Sequence, residues 1–127
     1  MSLFNTPPTF TIYICGLVFK YLLSIGGIKE QERRNIEKAN YLYNYLDNSK
    51  FYKTMADKNS RSIMNVVFTT GNKELDLLFV EEAKKVGLEN LKGHKVIGGL
   101  RASIYNAMPF EGVVTLVEFM KKFEEQY

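Results

Sequence analysis

One cysteine, one histidine and no apolar run beyond about ten residues set the first limits on this 127-residue chain. Cys15 alone excludes an internal disulfide, and with His94 as the single histidine the usual His/Cys zinc sets cannot be assembled. A reducing compartment, the cytoplasm, is the natural setting. The run from Phe10 to Phe19 is broken by Lys20, well short of the roughly 20 residues that span a bilayer, so no membrane partner is expected. No basic stretch precedes that run and no small-residue cleavage site follows it, which argues against a signal peptide; Met1-Ser2-Leu3 reads as an added leader. Charge of one sign is also scarce. The 17 Lys and Arg are interspersed with 14 Asp and Glu, so a net charge of +3 gives no basic block and no nucleic-acid partner is expected. Internal repeats and low-complexity tracts are missing too. So are a Ser/His/Asp set, paired catalytic carboxylates and a Gly-Lys-Ser/Thr phosphate loop.

What is present is an ordinary globular composition, 46% hydrophobic and 24% charged, enough for one domain around one core. Asn5-Thr6-Pro7-Pro8-Thr9 reads as an extended lead-in, with Pro8 or Thr9 opening a helix that runs to about Ile25. That helix has almost no polar face and is expected to be buried nearly all round, Cys15 with it as an inert thiol. It needs more cover than this chain has to spare, a sign of a larger protein or a tight oligomer.

Gly26-Gly27 ends the first helix, and an amphipathic helix follows from about Ile28 to Asp47. Its stripe is Ile28, Ile36, Ala39, Leu42, Tyr43 and Leu46, with Lys38 among the charged residues placed elsewhere. Phe51-Tyr52-Lys53 suggests a short edge strand and Ser62 to Thr69 a central one. Asn72 caps a helix from Lys73 to Val86 that Gly87 stops. Leu88 to Leu91 and Leu100 to Tyr105 read as strands, and Pro109 opens a last helix. The expected fold class is α/β, of the two-layer α+β type, in which a small, mostly antiparallel sheet carries helices on one face and follows a long apolar helix. The boundary falls between a lead-in, residues 1–27, and a domain, residues 28–127.

The candidate chemistry gathers in Lys92-Gly93-His94-Lys95 and Gly98-Gly99-Leu100-Arg101. Alternation along the last strand puts Arg101, Ser103 and Tyr105 on one face and Leu100, Ala102 and Ile104 on the other. Arg101 can grip a carboxylate or phosphate through two parallel hydrogen bonds, or serve as a surface arginine paired with a helix Glu. The glycines let backbone amides approach a ligand. His94 has no second histidine to build a relay, and Lys92 and Lys95 are solvated charges unless a ligand sits near the bend. Asn5 and Thr6, ahead of a helix N-terminus, suit a phosphate or form a plain cap and turn. The aromatics Tyr41, Tyr43, Tyr45, Phe51 and Tyr52 read as packing, not base stacking.

Read in order, these residues resemble a known family. Asn5-Thr6-Pro7-Pro8-Thr9-Phe10, Gly16-Leu17-Val18-Phe19-Lys20, Asp47-Asn48-Ser49, Arg61-Ser62-x-Met64-Asn65-Val66 and Leu91-Lys92-Gly93-His94-Lys95 match the C-terminal part of the phosphoserine aminotransferases. So does Gly98-Gly99-x-Arg101-Ala102-Ser103-Ile104-Tyr105-Asn106-Ala107-Met108-Pro109, the longest of the motifs. The resemblance implies the small domain of a fold-type I, pyridoxal 5'-phosphate-dependent transferase, with the large cofactor domain and its imine-forming lysine outside this sequence. It implies a homodimeric enzyme that moves an amino group between glutamate and 3-phosphohydroxypyruvate, giving phosphoserine and 2-oxoglutarate in serine biosynthesis. Some bacterial members also process a four-carbon phosphorylated substrate toward pyridoxine.

By the same resemblance Arg101 clamps the substrate α-carboxylate, and His94 and Lys95 help hold the substrate phosphate or the distal carboxylate of glutamate. Asn5 and Thr6 reach the cofactor phosphate across the dimer interface. The sequence departs at Lys95, where many members have arginine, and at Leu100, often methionine. Lysine keeps the charge and loses the fork. The fragment alone is expected to be inactive. The alternative is a free-standing anion-binding or regulatory module.

Overall fold

The computed structural model describes residues 4–127, so the leader reading of Met1-Ser2-Leu3 lies outside the described residues. The chain falls into two compact units, the first ending at Arg33 and the second running Arg34–Tyr127.

In the first unit, α1 (Thr9–Ser24) follows Pro8 and buries none of its residues. Phe10 and Leu23 are each 75% exposed, and Cys15 is exposed as well. Both expectations for this helix, near-complete burial and an inert enclosed thiol, are therefore reversed. An all-apolar composition invites burial, but only groups packed over a helix can supply it. No single helix among the described residues is long and apolar enough to cross a membrane. Gly26 and Gly27, both at positive φ, turn the chain into α2 (Gly27–Asn48).

The second unit is a four-stranded sheet of order β1-β2-β4-β3, every neighbouring pair antiparallel. Its strands are β1 (Lys53–Thr54), β2 (Asn65–Thr69), β3 (Lys92–His94) and β4 (Gly98–Ser103). Two-residue alternation decides which side is covered. Val66 and Phe68 on β2 lie opposite Ala102 and Leu100 on β4, and all four are buried. Against them pack α2, α3 (Lys73–Lys85) and α4 (Phe110–Gln126), through Leu42, Phe79, Val117 and Phe123 among others. The helices thus share one face, as the order of the elements implied. Phe79 sits at the centre of an edge-to-face ring cluster with Tyr52, Phe68, Phe119 and Phe123. The Tyr52 hydroxyl donates to the Met120 carbonyl at 3.0 Å, so the one polar atom of that ring is partnered.

The third strand lies later than expected. Gly87 ends α3 at φ 84° and Asn90 takes φ 62°, so the chain is still turning where Leu88 to Leu91 suggested a strand, and pairing begins at Lys92. Asn72 caps α3 as expected, its side chain accepting from the Glu74 and Leu75 amides.

Asp47 at the end of α2 and Arg61 ahead of β2 form a two-pronged pair at 2.8 and 2.6 Å, and the guanidinium lies 4.6 Å from the centre of the Tyr43 ring. The Arg61 hydrogen bonds hold the Asp47 carboxyl below its ordinary value. A carboxylate lowered in the folded state stabilises the fold above its unfolded value near 4, and that contribution fades as pH falls through the folded value. Arg61→Ala should therefore cost about 1 kcal/mol at pH 7, the pair being partly exposed, and progressively less below pH 4. Urea unfolding at pH 7 and pH 3 checks this; an equal cost at both would refute the pairing.

Candidate functional site

β4 builds the site. Its even positions face the helices, which leaves Arg101, Ser103 and then Tyr105 on the uncovered face of the sheet. Arg101 is half-buried, stands opposite Val67, and ties its amide to the Leu91 carbonyl at 2.8 Å. Among the described residues its guanidinium forms no ion pair, and its buried Nε has no hydrogen-bond partner. The pairing with a helix glutamate is therefore not made. An orphaned, half-buried guanidinium is costly unless an anion completes it. Beside it on the same face, Ser103 Oγ donates to Asn65 Oδ1 at 3.2 Å and Asn65 Nδ2 donates to the Tyr105 hydroxyl at 2.9 Å.

The hairpin that carries His94 and Lys95 is shaped by what its glycines lack. A Cβ on Gly93 would run into the carbonyl oxygens of Gly98 and Gly99 across the turn. Gly98 and Gly99 both take positive φ, and a Cβ on Gly99 would lie 2.8 Å from Met55 Sδ and 2.9 Å from the Phe68 carbonyl oxygen. Gly93 and Gly99 serve the close approach of the chain to itself, where the sequence suggested approach to a ligand, and Gly98 serves its positive φ alone.

His94 Nδ1 accepts from the Val96 amide at 3.3 Å, which leaves Nε2 as the protonated nitrogen, exposed and free to donate. Lys95 is exposed and unpaired among the described residues. Both residues line a cleft of about 350 Å³ between the hairpin and α3 that does not include Arg101. The cations grouped in sequence are thus split between the uncovered face, with Arg101, and the hairpin at the sheet edge.

Asn5 and Thr6 lie exposed ahead of α1 in the other unit. The Pro8 cap offers no side-chain hydrogen bond, so a 16-residue helix begins with amides that no side chain satisfies. An amide, a hydroxyl and open helix amides fit the phosphate of the cofactor that the resemblance implies. The aldehyde end of that cofactor finds no counterpart among the described residues. Lys38 is the one buried lysine among them, and its amine donates to the carbonyls of Tyr105, Met108 and Ile104 at 2.7, 2.9 and 3.3 Å. Burial pushes its pKa down, but three backbone acceptors occupy it.

Sequence reasoning misses Lys38, although the signal is there. With Gln31, Asn35 and Leu42 it follows the three- and four-residue spacing of the buried stripe. Asn35 Nδ2 reaches Asn106 Oδ1 at 2.8 Å, so two polar side chains of α2 pin the segment after β4. The long motif from Gly98 to Pro109 is accordingly part site and part anchor.

Residues 1–116 match the aminotransferase class-V family. The chain is 60% identical over 125 residues to the phosphoserine aminotransferase of Histophilus somni (strain 129Pt), covering 98% of this chain and 35% of that protein. Against the phosphoserine aminotransferase of Haemophilus influenzae it is 58% identical, covering 98% of this chain and 34% of the relative. The structure of phosphoserine aminotransferase from Bacillus circulans subsp. alkalophilus superposes with a TM-score of 0.93 at 43% identity, over 98% of this chain and 35% of that one. A pyridoxal-phosphate-bound phosphoserine aminotransferase from Trichomonas vaginalis gives 0.85 at 37% identity, over 94% and 34%. The chain spans about a third of the length of the curated relatives it matches.

Proposed function

The chain belongs to the aminotransferase class-V family, and on that premise we propose that it is the C-terminal small domain, with its lead-in helix, of a phosphoserine aminotransferase. The parent is read as a cytoplasmic homodimer that moves an amino group between glutamate and 3-phosphohydroxypyruvate. The boundary is read at 1–27 for the interdomain lead-in and 28–127 for the domain. The observation that carries the reading is Arg101: a half-buried, unpaired guanidinium on the uncovered sheet face, inside a sequence 60% identical to such enzymes. Nothing observed favours the free-standing module.

In this reading Arg101 orients the substrate by gripping its α-carboxylate with two parallel hydrogen bonds, which fixes the bond that must react. His94, donating from Nε2, and Lys95 hold the far anion, the phosphate of one substrate or the second carboxylate of glutamate. Lys95 contributes charge without a planar fork, so its grip is the less directional. Asn5 and Thr6 would hold the phosphate of pyridoxal phosphate across the dimer interface. The cofactor, when bound in the parent, supplies the electron sink for amino transfer. The imine-forming lysine is assigned to the large domain, and the chain alone is inactive.

The test is the full-length protein assayed with glutamate and 3-phosphohydroxypyruvate. Arg101→Ala should lower kcat/KM for glutamate by about 2 kcal/mol, roughly 30-fold, the loss of one charged hydrogen-bonded pair. Undiminished efficiency with glutamate would sink the assignment of Arg101, and turnover by the 127-residue chain alone would sink the division of labour.

A further inference from the structure

Strand β4 is six residues long and β3 only three, so β3 covers half of its outer edge. The last bond between them runs from the Arg101 amide to the Leu91 carbonyl at 2.8 Å. On the other side of Leu91 the chain bends off the sheet through Asn90 at φ 62° and Gly87 at φ 84°. We propose that an extended segment of the parent, from outside these 127 residues, adds a strand to the open half of this edge.

The destination of each backbone hydrogen bond is the first argument. The Ile104 amide donates to the Met64 carbonyl at 2.8 Å, which turns the backbone groups of the even residues of β4 toward β2. Alternation sends those of the odd residues the other way, as the Arg101 amide shows. Past that amide, the Arg101 carbonyl, the Ser103 amide and carbonyl and the Tyr105 amide have no protein partner among the described residues. Those four groups repeat at the spacing of a strand, and an extended backbone matches all of them. A small ligand would match one or two.

Edges that stay open in solution are ordinarily short, charged or interrupted by proline. β1, at the opposite side of the sheet, is two residues long and carries Lys53. Ala102, Ser103 and Ile104 have none of these guards. Their edge opens instead on a groove of about 350 Å³, floored by Leu91, Ile104, Val113 and Leu116 and flanked by half-buried Leu88 and exposed Met108. An added strand would send one apolar side chain into that groove and its neighbours to the uncovered face beside Arg101. The parent can supply it, since the chain spans only 35% of a relative to which it is 60% identical. The proposal rests on reading the chain as part of such an enzyme, and adds where another part of that enzyme docks.

Amide hydrogen exchange of the full-length protein and of the 127-residue chain tests this, with the Ala102 amide, which faces β2, as the reference in each. Relative to Ala102, the Ser103 and Tyr105 amides should exchange at least about a hundredfold more slowly in the full-length protein than in the chain alone. Ser103→Pro removes the edge donor without touching the pairing with β2, and Ser103→Ala keeps it. In the full-length protein the proline variant should speed exchange at Tyr105 by about tenfold or more and deprotect one segment outside the 127 residues. The alanine variant should do neither. Should the proline variant fail to fold, Met108→Glu, which sets a charge on the rim of the groove, takes its place with the same loss expected. Protection is read independently of turnover with glutamate, so this proposal and the functional reading fall separately. Equal exchange in the two proteins, protection in the isolated chain that grows with its concentration, or protection that survives these substitutions would each overturn it.

Discussion

Lys38→Met should lower the unfolding free energy of the chain by about 3 kcal/mol and loosen the segment from Ile104 to Met108. The substitution keeps the length of the stem and removes the three donors. Its target is a backbone turn whose carbonyls converge on one amine in a dry setting, Lys38 being 3% exposed. Methionine leaves the Ile104 and Met108 oxygens facing an apolar stem, Tyr105 keeping only the Met108 amide, and an acceptor stripped of its partner costs more than a hydrogen bond ordinarily contributes.

The effect also has a pH signature. Burial holds Lys38 below its ordinary value of 10.5, so between the folded and unfolded values the unfolded chain binds the extra proton and stability rises with pH. The sign is opposite to that of a lysine held by a carboxylate. In the methionine variant that pH dependence is absent, and its deficit should widen on the alkaline side. Chemical denaturation of both proteins across pH 7 to 10 measures each part. A cost below about 1 kcal/mol would mean that the carbonyls find other partners.

Gly93→Ala should be at least as damaging, about 3 kcal/mol or more, for a steric reason. The added methyl would coincide with the Gly98 carbonyl oxygen and press on that of Gly99. Neither atom belongs to a flexible side chain, so the hairpin itself must part, breaking the pairing of His94 with Gly98 and of Lys92 with Leu100. In the proposed full-length enzyme the same change should weaken binding of the distal anion more than binding of the α-carboxylate, because Arg101 is also held by its pairing with Val67 on β2. Exchange protection of the β4 amides and urea unfolding would record the loss. A stability within about 1 kcal/mol of wild type would show that the hairpin yields without strain.

Much of this architecture is readable from period alone. The alternation of Leu100, Ala102 and Ile104 against Arg101 and Ser103 assigns the two sheet faces, and Asn72 and Gly87 mark the ends of α3. Two things are not readable, for different reasons. Burial of α1 depends on what covers it, which no property of Phe10 to Leu23 contains. Lys38 sorts by its charge with the solvent-facing residues, and only its register with Asn35 and Leu42 places it in the buried stripe.

The hairpin needs geometry as well. Composition marks Gly93, Gly98 and Gly99 as permissive, but only the fold reveals that the room left by Gly93 and Gly99 is taken by neighbouring backbone and Met55, while Gly98 serves its positive φ. For the site, strand alternation foretells that Arg101 lies on the sheet face away from the helices. Separation of Arg101 from the cleft lined by His94 and Lys95 is a three-dimensional fact that follows from strand register.

The strand order β1-β2-β4-β3 also bears on how the chain assembles. Strands β3 and β4 meet across a tight turn, a closure that loses little chain entropy and can happen early. β4 cannot complete the sheet until β2, with the whole of α3 between them in sequence, is brought alongside so that Asn65 meets Ser103 and Phe68 meets Leu100. That distant pairing should set the folding rate, so substitutions at Val66, Phe68 or Ala102, and at the hairpin that closes before them, should slow folding. Arg101 therefore rides on the strand whose docking finishes the sheet, and it acquires its final surroundings only when the fold is nearly complete.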